Sequence, residues 1–405
     1  MASQLYQLGI KLLNIYLKLS AVLGNKKAKI GNQGRGYWKE NIKKLNSNKI
    51  TFWVHAASHG EAIMAVPLID EILKKDNHQV AISFFSPSGF ENFKYQNSDL
   101  FKFYLPIDTK KNSAKVVAFI KPKLIIFIKY DLWLNLILEC QNQEIPTFLV
   151  SSKFRKNQWY FKFFAGNSLR ILKSMTKIFT LDHSSLDLLK SKRFTNANYC
   201  GDLRYDQVNN IKDSKKIKNF NIGKPCVILG SSWETEENLV IDIIKDLKHI
   251  NWIIVPHEIN HKNLLKLKSR FADNCLLLSE TNFSKSNPKV LIIDEIGLLA
   301  NLYEFSDIAF IGGGFSGKLH NILEAGAKGN VILFGPKIEK FPEAQLMLKE
   351  DVAFKINNSS ELKLKILELL ENSKELENKK NHIKKIIQNK IGATKIVWSE
   401  IKKII

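Results

Sequence analysis

From residue 50 onward, short runs of consecutive apolar residues alternate with stretches in which apolar positions recur every three or four residues. The runs "ITFWVHAA" (50–57), "QVAISFF" (79–85), "KLIIFIKY" (123–130), "PTFLVSS" (146–152) and "KIFTLD" (177–182) predict five strands with helices between them. A strand that is apolar on both faces belongs to a parallel sheet covered by helices on each side. The alternation pauses at the polar, lysine-rich "NNIKDSKKIKNFNIGKP" and restarts with "CVILGSS" (226–232), "NWIIVPH" (251–257), "KVLIID" (289–294), "IAFIGGG" (308–314) and "VILFGP" (331–336). The pattern predicts two doubly wound α/β domains. The organisation expected is a segment 1–35, a first Rossmann-like domain 36–206, a linker 207–222, a second Rossmann-like domain 223–385 and a C-terminal helix 386–405. Ligands bind beyond the carboxyl ends of such strands, so the loops of both halves are expected to border one cleft.

The N-terminal stretch follows a different pattern. Residues 5–23, "LYQLGIKLLNIYLKLSAVL", are long enough to span a bilayer as a helix. Yet Gln7, Lys11, Asn14 and Lys18 recur every three or four positions and form one polar face opposite a wide apolar arc. A spanning helix does not tolerate that stripe. No small-residue cleavage site follows, which argues against a removable signal peptide. Lys26, Lys27, Lys29 and Arg35 come next and suit anionic headgroups. The segment therefore predicts an amphipathic helix lying on a membrane surface, with a helix packed on the protein itself as the other reading.

Composition narrows the picture. The 405 residues carry a formal net charge of +22 with 45% hydrophobic residues, which excludes a disordered tail and a polytopic membrane protein. The four cysteines are far apart in sequence and form no C-x-x-C pair, so neither a disulfide frame nor a zinc site is suggested. Such a charge attracts polyanions. Only six of the 61 basic residues are arginine, however, and nucleic-acid readers lean on arginine for bidentate contacts. A lysine-rich compositional drift explains part of the charge without any partner.

Three loops carry candidate chemistry. In "HAASHGEA" (55–62), Gly60 is expected to turn the backbone and to place Glu61 in the first turn of a helix, whose positive end favours the ionised carboxylate. Glu61 is either a general base or a complement to the helix dipole; His55 and His59 beside it read as structural. In "FIGGGFSGKLHNILEAGAKG" (310–329), successive glycines after a strand are expected to offer free N–H groups to an anion. A helix is expected to open near His320 and Asn321, with Glu324 one turn in and able to accept from ribose hydroxyls. No G-K-[ST] follows, so this is not a Walker loop. In "LGSSWETEE" (229–237), Ser231 and Ser232 are either helix caps or phosphate ligands. "VPHEINH" (255–261) and "IDEIGLLANLY" (293–303) close the second domain's set of loops.

Taken in order, these segments, with "KYDLWLN" (129–135), "SSKFRKNQWYF" (151–161) and "GDLRYD" (201–206), resemble the Kdo (3-deoxy-D-manno-octulosonic acid) transferases of lipopolysaccharide synthesis, glycosyltransferases of the GT-B fold. The resemblance runs over nearly the whole chain. It implies that Glu61 is the catalytic base, with Gly60 and Asp131 on the acceptor side. It further implies a CMP-Kdo site of Ser231, Ser232, His257, Ile296, Gly297, Gly313, Gly314, His320, Asn321 and Glu324, in which Ile296 and Gly297 line the base pocket. The implied reaction is an inverting single displacement from CMP-Kdo to a lipid A precursor (lipid IVA), with no cofactor and no metal, in keeping with the lack of a D-x-D motif. The implied partners are the lipid acceptor and the anionic inner-membrane surface on its cytoplasmic face, and not nucleic acid. Asp131 stands where the family commonly has glutamate, His257 where many members have arginine, and His59 where a small or apolar residue is usual. The competing readings are another GT-B glycosyltransferase or a UDP-sugar 2-epimerase, and a non-catalytic basic protein binding membranes or nucleic acid.

Overall fold

The computed structural model describes residues 4–129, 131–162, 166–211, 222–271, 275–281 and 288–405. The chain divides into two compact units, Met1–Gln207 with Ile391–Ile405, and Val208–Lys390. Most of the linker expected at 207–222 lies outside the described residues.

The first unit is built on a parallel sheet of β1 (Ile50–His55), β2 (His78–Phe84), β3 (Leu100–Tyr104), β4 (Leu124–Ile128), β5 (Thr147–Ser152), β6 (Lys177–Thr180) and β7 (Ala197–Tyr199), in the order β3-β2-β1-β4-β5-β6-β7. Alternate residues of each strand feed two cores. Trp53, Ala81, Ile125, Phe127 and Leu149 face one helical layer. Phe52, Val54, Val80, Ile82, Ile126 and Phe148 face the other. This double burial is why the strands read as unbroken apolar runs instead of an alternation.

The second unit repeats the plan with β8 (Cys226–Ser232), β9 (Asn251–Pro256), β10 (Cys275–Leu277), β11 (Val290–Ile292), β12 (Ile308–Ile311), β13 (Val331–Phe334) and β14 (Ala353–Lys355), in the order β10-β11-β9-β8-β12-β13-β14. The ten strands expected from the apolar runs are all present. The four that were not expected, β3, β7, β10 and β14, are the edge strands of the two sheets. An edge strand is covered on fewer sides and has no need of a continuous apolar run; β7, for instance, buries one residue of three.

Sequence order reverses beside β1 in the first sheet and beside β8 in the second. The crevice at such a switch point is where open α/β sheets bind ligands. The loops after β1 and β4, and those after β8 and β12, flank these switch points.

Two terminal segments complete the first unit. The helix Ala393–Ile401 lies within the stretch expected as a C-terminal helix, 386–405, and residues 391–405 belong to the first unit. Val397, Trp398 and Ile401 join the core around Phe52 and Leu68, and the Asp206 carboxylate accepts from Gly392 N at 3.2 Å and Ala393 N at 3.1 Å. The N-terminal helix Gln4–Val22 rests on its own unit through one side, burying Ile10 and turning Tyr6 and Gln7 inward. Lys11 and Lys18 stay exposed, and so do Leu5, Leu8, Leu12, Ile15, Tyr16 and Leu19. Much of the apolar arc is therefore an outer face of the unit. No described helix is long and apolar enough to cross a membrane.

Candidate active site

In the first unit, β1 ends at His55 and the helix His59–Ile72 begins four residues later. Ser58 caps it: Ser58 Oγ accepts from Glu61 N at 3.5 Å, and Glu61 Oε2 accepts from Ser58 N at 3.2 Å. This reciprocal pair is the S-x-x-E capping box, and a cap of this kind stabilises by about 1 kcal/mol. Gly60 has a different place from the one expected. It is the second residue of the helix, lacks a positive φ, and a Cβ there meets nothing within 4 Å. The turn is made by residues 56–58, and Gly60 leaves open space at the mouth of the helix.

Glu61 is only 8% exposed. Burial pushes its carboxyl above the ordinary glutamate range, the Lys129 ammonium opposes this, and the Asp131 carboxylate adds to it. Lys129 closes β4 in a left-handed backbone conformation with φ 66°, and its N–H donates to Val150 O at 2.8 Å. A non-glycine residue pays about 1–2 kcal/mol for that conformation. A network of side chains stands beside the carboxylate. The Trp133 indole N–H donates to His55 Nε2 at 2.8 Å and to Asp131 Oδ2 at 3.1 Å. Indole is a donor only, so His55 Nε2 is the acceptor and Nδ1–H donates to Ser83 Oγ, 2.8 Å away. Ser83 Oγ also accepts from Trp53 Nε1 at 2.8 Å. The 3.2 Å approach of His55 Nε2 to Asp131 is then bridged by the indole proton they share. His55 is thereby a buried strut, as its sequence position suggested. Burial lowers the His59 pKa, and its Nδ1 has no hydrogen-bond partner among the described residues.

In the second unit, the glycine loop after β12 is tight because backbone presses on backbone. A Cβ on Gly312 falls 2.1 Å from Ser231 O, one on Gly313 falls 2.2 Å from Lys318 O, and one on Gly314 falls 2.4 Å from Gly335 N. Ser231 itself sits at φ 53°, at the register shift that ends β8. The amides expected to be free are partly engaged. Gly312 N donates to Gly230 O at 2.9 Å, and Gly313 N donates to Glu236 Oε1 at 2.8 Å. The buried Glu236 carboxylate, which also accepts from Trp233 N at 3.3 Å, thus fills the anion-binding place at Gly313. Ser232 is accounted for as well, since its Oγ donates to Glu237 Oε1 at 2.8 Å.

The helix expected to open near His320 begins at Leu323, and Glu324 lies in its first turn. Asn321 precedes it as a local tie: its Oδ1 accepts from Leu323 N at 3.1 Å and its Nδ2 donates to Glu324 Oε1 at 3.0 Å. Burial raises the Glu324 pKa and the Asn321 bond opposes the rise. His320 meets His257 at 4.5 Å between ring centroids, and His257 stacks on Trp233 at 4.3 Å. Burial and the neighbouring His257 push His320 down to about 4, so it is neutral near pH 7. Beside this stack, at the ends of β8 and β9, is a cavity of about 220 Å³ whose walls include Ser232, Trp233, Asn263, Lys266 and Arg270. Gly297 turns with φ 92°, and Ile296 before it is 83% exposed.

Sequence reading singled out neither Lys129, Trp133, Trp233 nor Glu236. The capping spacing from Ser58 to Glu61 was a readable signal; a carboxylate reaching from residue 236 to a loop at 313 has none.

Comparison with known proteins adds independent findings. A family model of 3-deoxy-D-manno-octulosonic-acid transferases (kdotransferases) matches residues 34–207. A 3-deoxy-D-manno-octulosonic acid transferase of Aquifex aeolicus is 28% identical over 354 residues, covering 84% of this chain and 92% of that protein. The Rickettsia bellii enzyme of the same name is 29% identical over 85% of this chain and 86% of its own length. A bifunctional glycosyltransferase/methyltransferase of Fusobacterium nucleatum is 27% identical over 86% of this chain, but the chain spans only 56% of that larger protein. Among solved structures, the UDP-GlcNAc 2-epimerase of Neisseria meningitidis superposes with a TM-score of 0.60 at 15% identity, covering 87% of this chain and all of that one. Acinetobacter baumannii MurG superposes at 0.54 with 14% identity over 88% and 99% of the two chains. At such identities the likeness establishes the fold, which is GT-B with two Rossmann-like domains.

Proposed function

We propose that the chain is a glycosyltransferase of the Kdo transferase family, to whose members it is similar over most of its length, and that it transfers Kdo from CMP-Kdo to a lipid A precursor such as lipid IVA. Glu61 is the general base. It takes the proton from an acceptor hydroxyl as that oxygen bonds to the anomeric carbon of Kdo, while the bond from that carbon to the CMP phosphate oxygen breaks and CMP leaves as an anion. The displacement is single and inverts the anomeric centre.

The observation that carries this reading is the state of Glu61: a buried carboxylate, held by its capping box at the sheet's switch point, with its proton affinity raised by burial. A base works best when its pKa approaches the working pH, and raising a carboxylate serves that end. Asp131 and the open position at Gly60 belong to the acceptor side. Ser231, His257, Gly314, His320 and Asn321 surround the donor's phosphate and nucleotide, Glu324 holds the ribose, and Ile296 with Gly297 borders the base. The leaving anion is met by the dipoles of the glycine loop and the polar side chains around it, His320 among them as a neutral imidazole, with no metal or cofactor required. With Gly313 N–H committed to Glu236, its part is to shape the loop.

The outer apolar stripe of the N-terminal helix, flanked by Lys11 and Lys18 and followed by Lys26 and Lys27, supports seating on the anionic cytoplasmic face of the inner membrane, with the lipid acceptor as partner and not nucleic acid. Incubating the protein with CMP-Kdo and a tetraacylated lipid A precursor, then weighing the products, tests the reading. The expected result is acceptor heavier by whole Kdo residues with matching CMP release; acceptor of unchanged mass overturns it.

A further inference from the structure

The helix Leu134–Asn142 has no side-chain cap from Trp133, the residue that precedes it. Its first amides are nevertheless satisfied, by residues distant in sequence. Leu134 N donates to Tyr6 Oη at 3.1 Å, and Asn135 N and Leu136 N each donate to the Asp108 carboxylate at 2.9 Å. Tyr6 completes the arrangement by donating its own proton to Asp108 Oδ2 at 2.5 Å, and Ser113 Oγ donates to Oδ1 at 2.7 Å. Next to it, the Gln7 and Asn135 side chains exchange hydrogen bonds of 2.6 and 3.3 Å. A helix start left without such partners has unpaired N–H groups and frays.

Tyr6 and Gln7 belong to the N-terminal helix whose other side is the exposed apolar stripe, where Leu12 is 57% exposed. One residue before Leu134 is Trp133, whose indole ties Asp131 to His55 beside Glu61. Hydrogen bonds at Leu134, carried on by the peptide link to Trp133 and its indole, therefore join the outer helix to the candidate base's neighbours, all within the first unit.

We infer that Tyr6, through Asp108, is a positioning residue for transfer: it makes the N-terminal helix and the 131–135 loop one rigid piece, so that the surface seated on lipid fixes where Asp131 and Trp133 stand around Glu61. This rests on the transfer reading above. An acceptor whose sugar head projects from a membrane meets the base at a height set by this piece, and loosening it costs orientation even when every reacting group is present.

Tyr6→Phe keeps the ring and removes the hydroxyl. The test measures three things on the full chain: kcat and KM for CMP-Kdo, retention on vesicles of phosphatidylethanolamine and phosphatidylglycerol, and amide exchange at residues 134–136. The expected result is kcat about tenfold lower with KM and vesicle retention within about twofold of wild type, and faster exchange at Leu134, Asn135 and Leu136. Wild-type kcat in Tyr6→Phe overturns the inference, as does a loss of transfer that simply follows a loss of vesicle retention. A wild-type protein that transfers no Kdo overturns the underlying reading instead, and is told apart because it fails before the variant is compared.

Discussion

The loops after β1 and β4 in the first unit and those after β8 and β12 in the second occupy the same topological position, yet they are made in opposite ways. In the first, the backbone is ordinary apart from Lys129, and side chains do the positioning: Trp133 shared between His55 and Asp131, Ser83 behind His55, and Ser58 capping Glu61. In the second, backbone presses on backbone at Gly312, Gly313 and Gly314, and the chain's own Glu236 occupies an amide there. The difference matches two chemical tasks. A base must be held as one side chain with a raised proton affinity, which takes burial and neighbouring charges. A phosphate is met by amides and dipoles that need no protonation change, which takes close backbone.

The contrast is most sharply broken at Gly312. Gly312→Ala puts a methyl group about 2 Å from the Ser231 carbonyl, with backbone on both sides. Overpacking of this kind is expected to cost about 3 kcal/mol in a denaturant melt. A loss below about 1 kcal/mol would mean that the second unit's loops are pliable and the contrast is overstated.

Next in size is Glu236→Ala, which strips the acceptor from Gly313 N–H and Trp233 N–H. Two amides left without it predict a loss of about 2 kcal/mol and weaker CMP binding, by calorimetry. Unchanged stability would show that Glu236 is incidental and the glycine loop holds itself.

The smallest effect concerns the first unit and depends on pH. Because the folded state raises the Glu61 pKa, its contribution to stability is fully present below the unfolded-state pKa and is lost as pH rises through the folded value. Glu61→Gln keeps the capping geometry without the charge. It should match wild type in stability in acid and become modestly more stable as pH rises past that of an ordinary carboxylate. Melts across that range check the sign, and a variant less stable at neutral pH would mean that the ionised carboxylate is favoured in place.

The fold was legible where burial is two-sided. All ten interior strands announce themselves as apolar runs; Leu100–Tyr104 and Ala353–Lys355, each paired on one side only, do not. Glu61 was picked out as a first-turn acid of the helix after β1; its capping box with Ser58, three residues away, was a local signal that went unread, and the turn assigned to Gly60 is made by residues 56–58. The partners of the site were not, because they come from far along the chain: Glu236 to Gly313, Tyr6 to Leu134, and Asp206 to the helix that begins at Ala393. The N-terminal helix was half legible. Its amphipathic period was plain, but its two sides were read as lipid-facing or protein-facing alternatives, while in the structure Gln7 docks on the protein and Leu12 faces outward.

Glu61 is proposed as the base for transfer, with no part in holding the donor. Transfer of Kdo by Glu61→Gln, measured beside CMP binding by the same preparation, tests this most directly. The expected result is transfer lower by about a thousandfold with CMP affinity within about twofold of wild type. Transfer at the wild-type rate would contradict it.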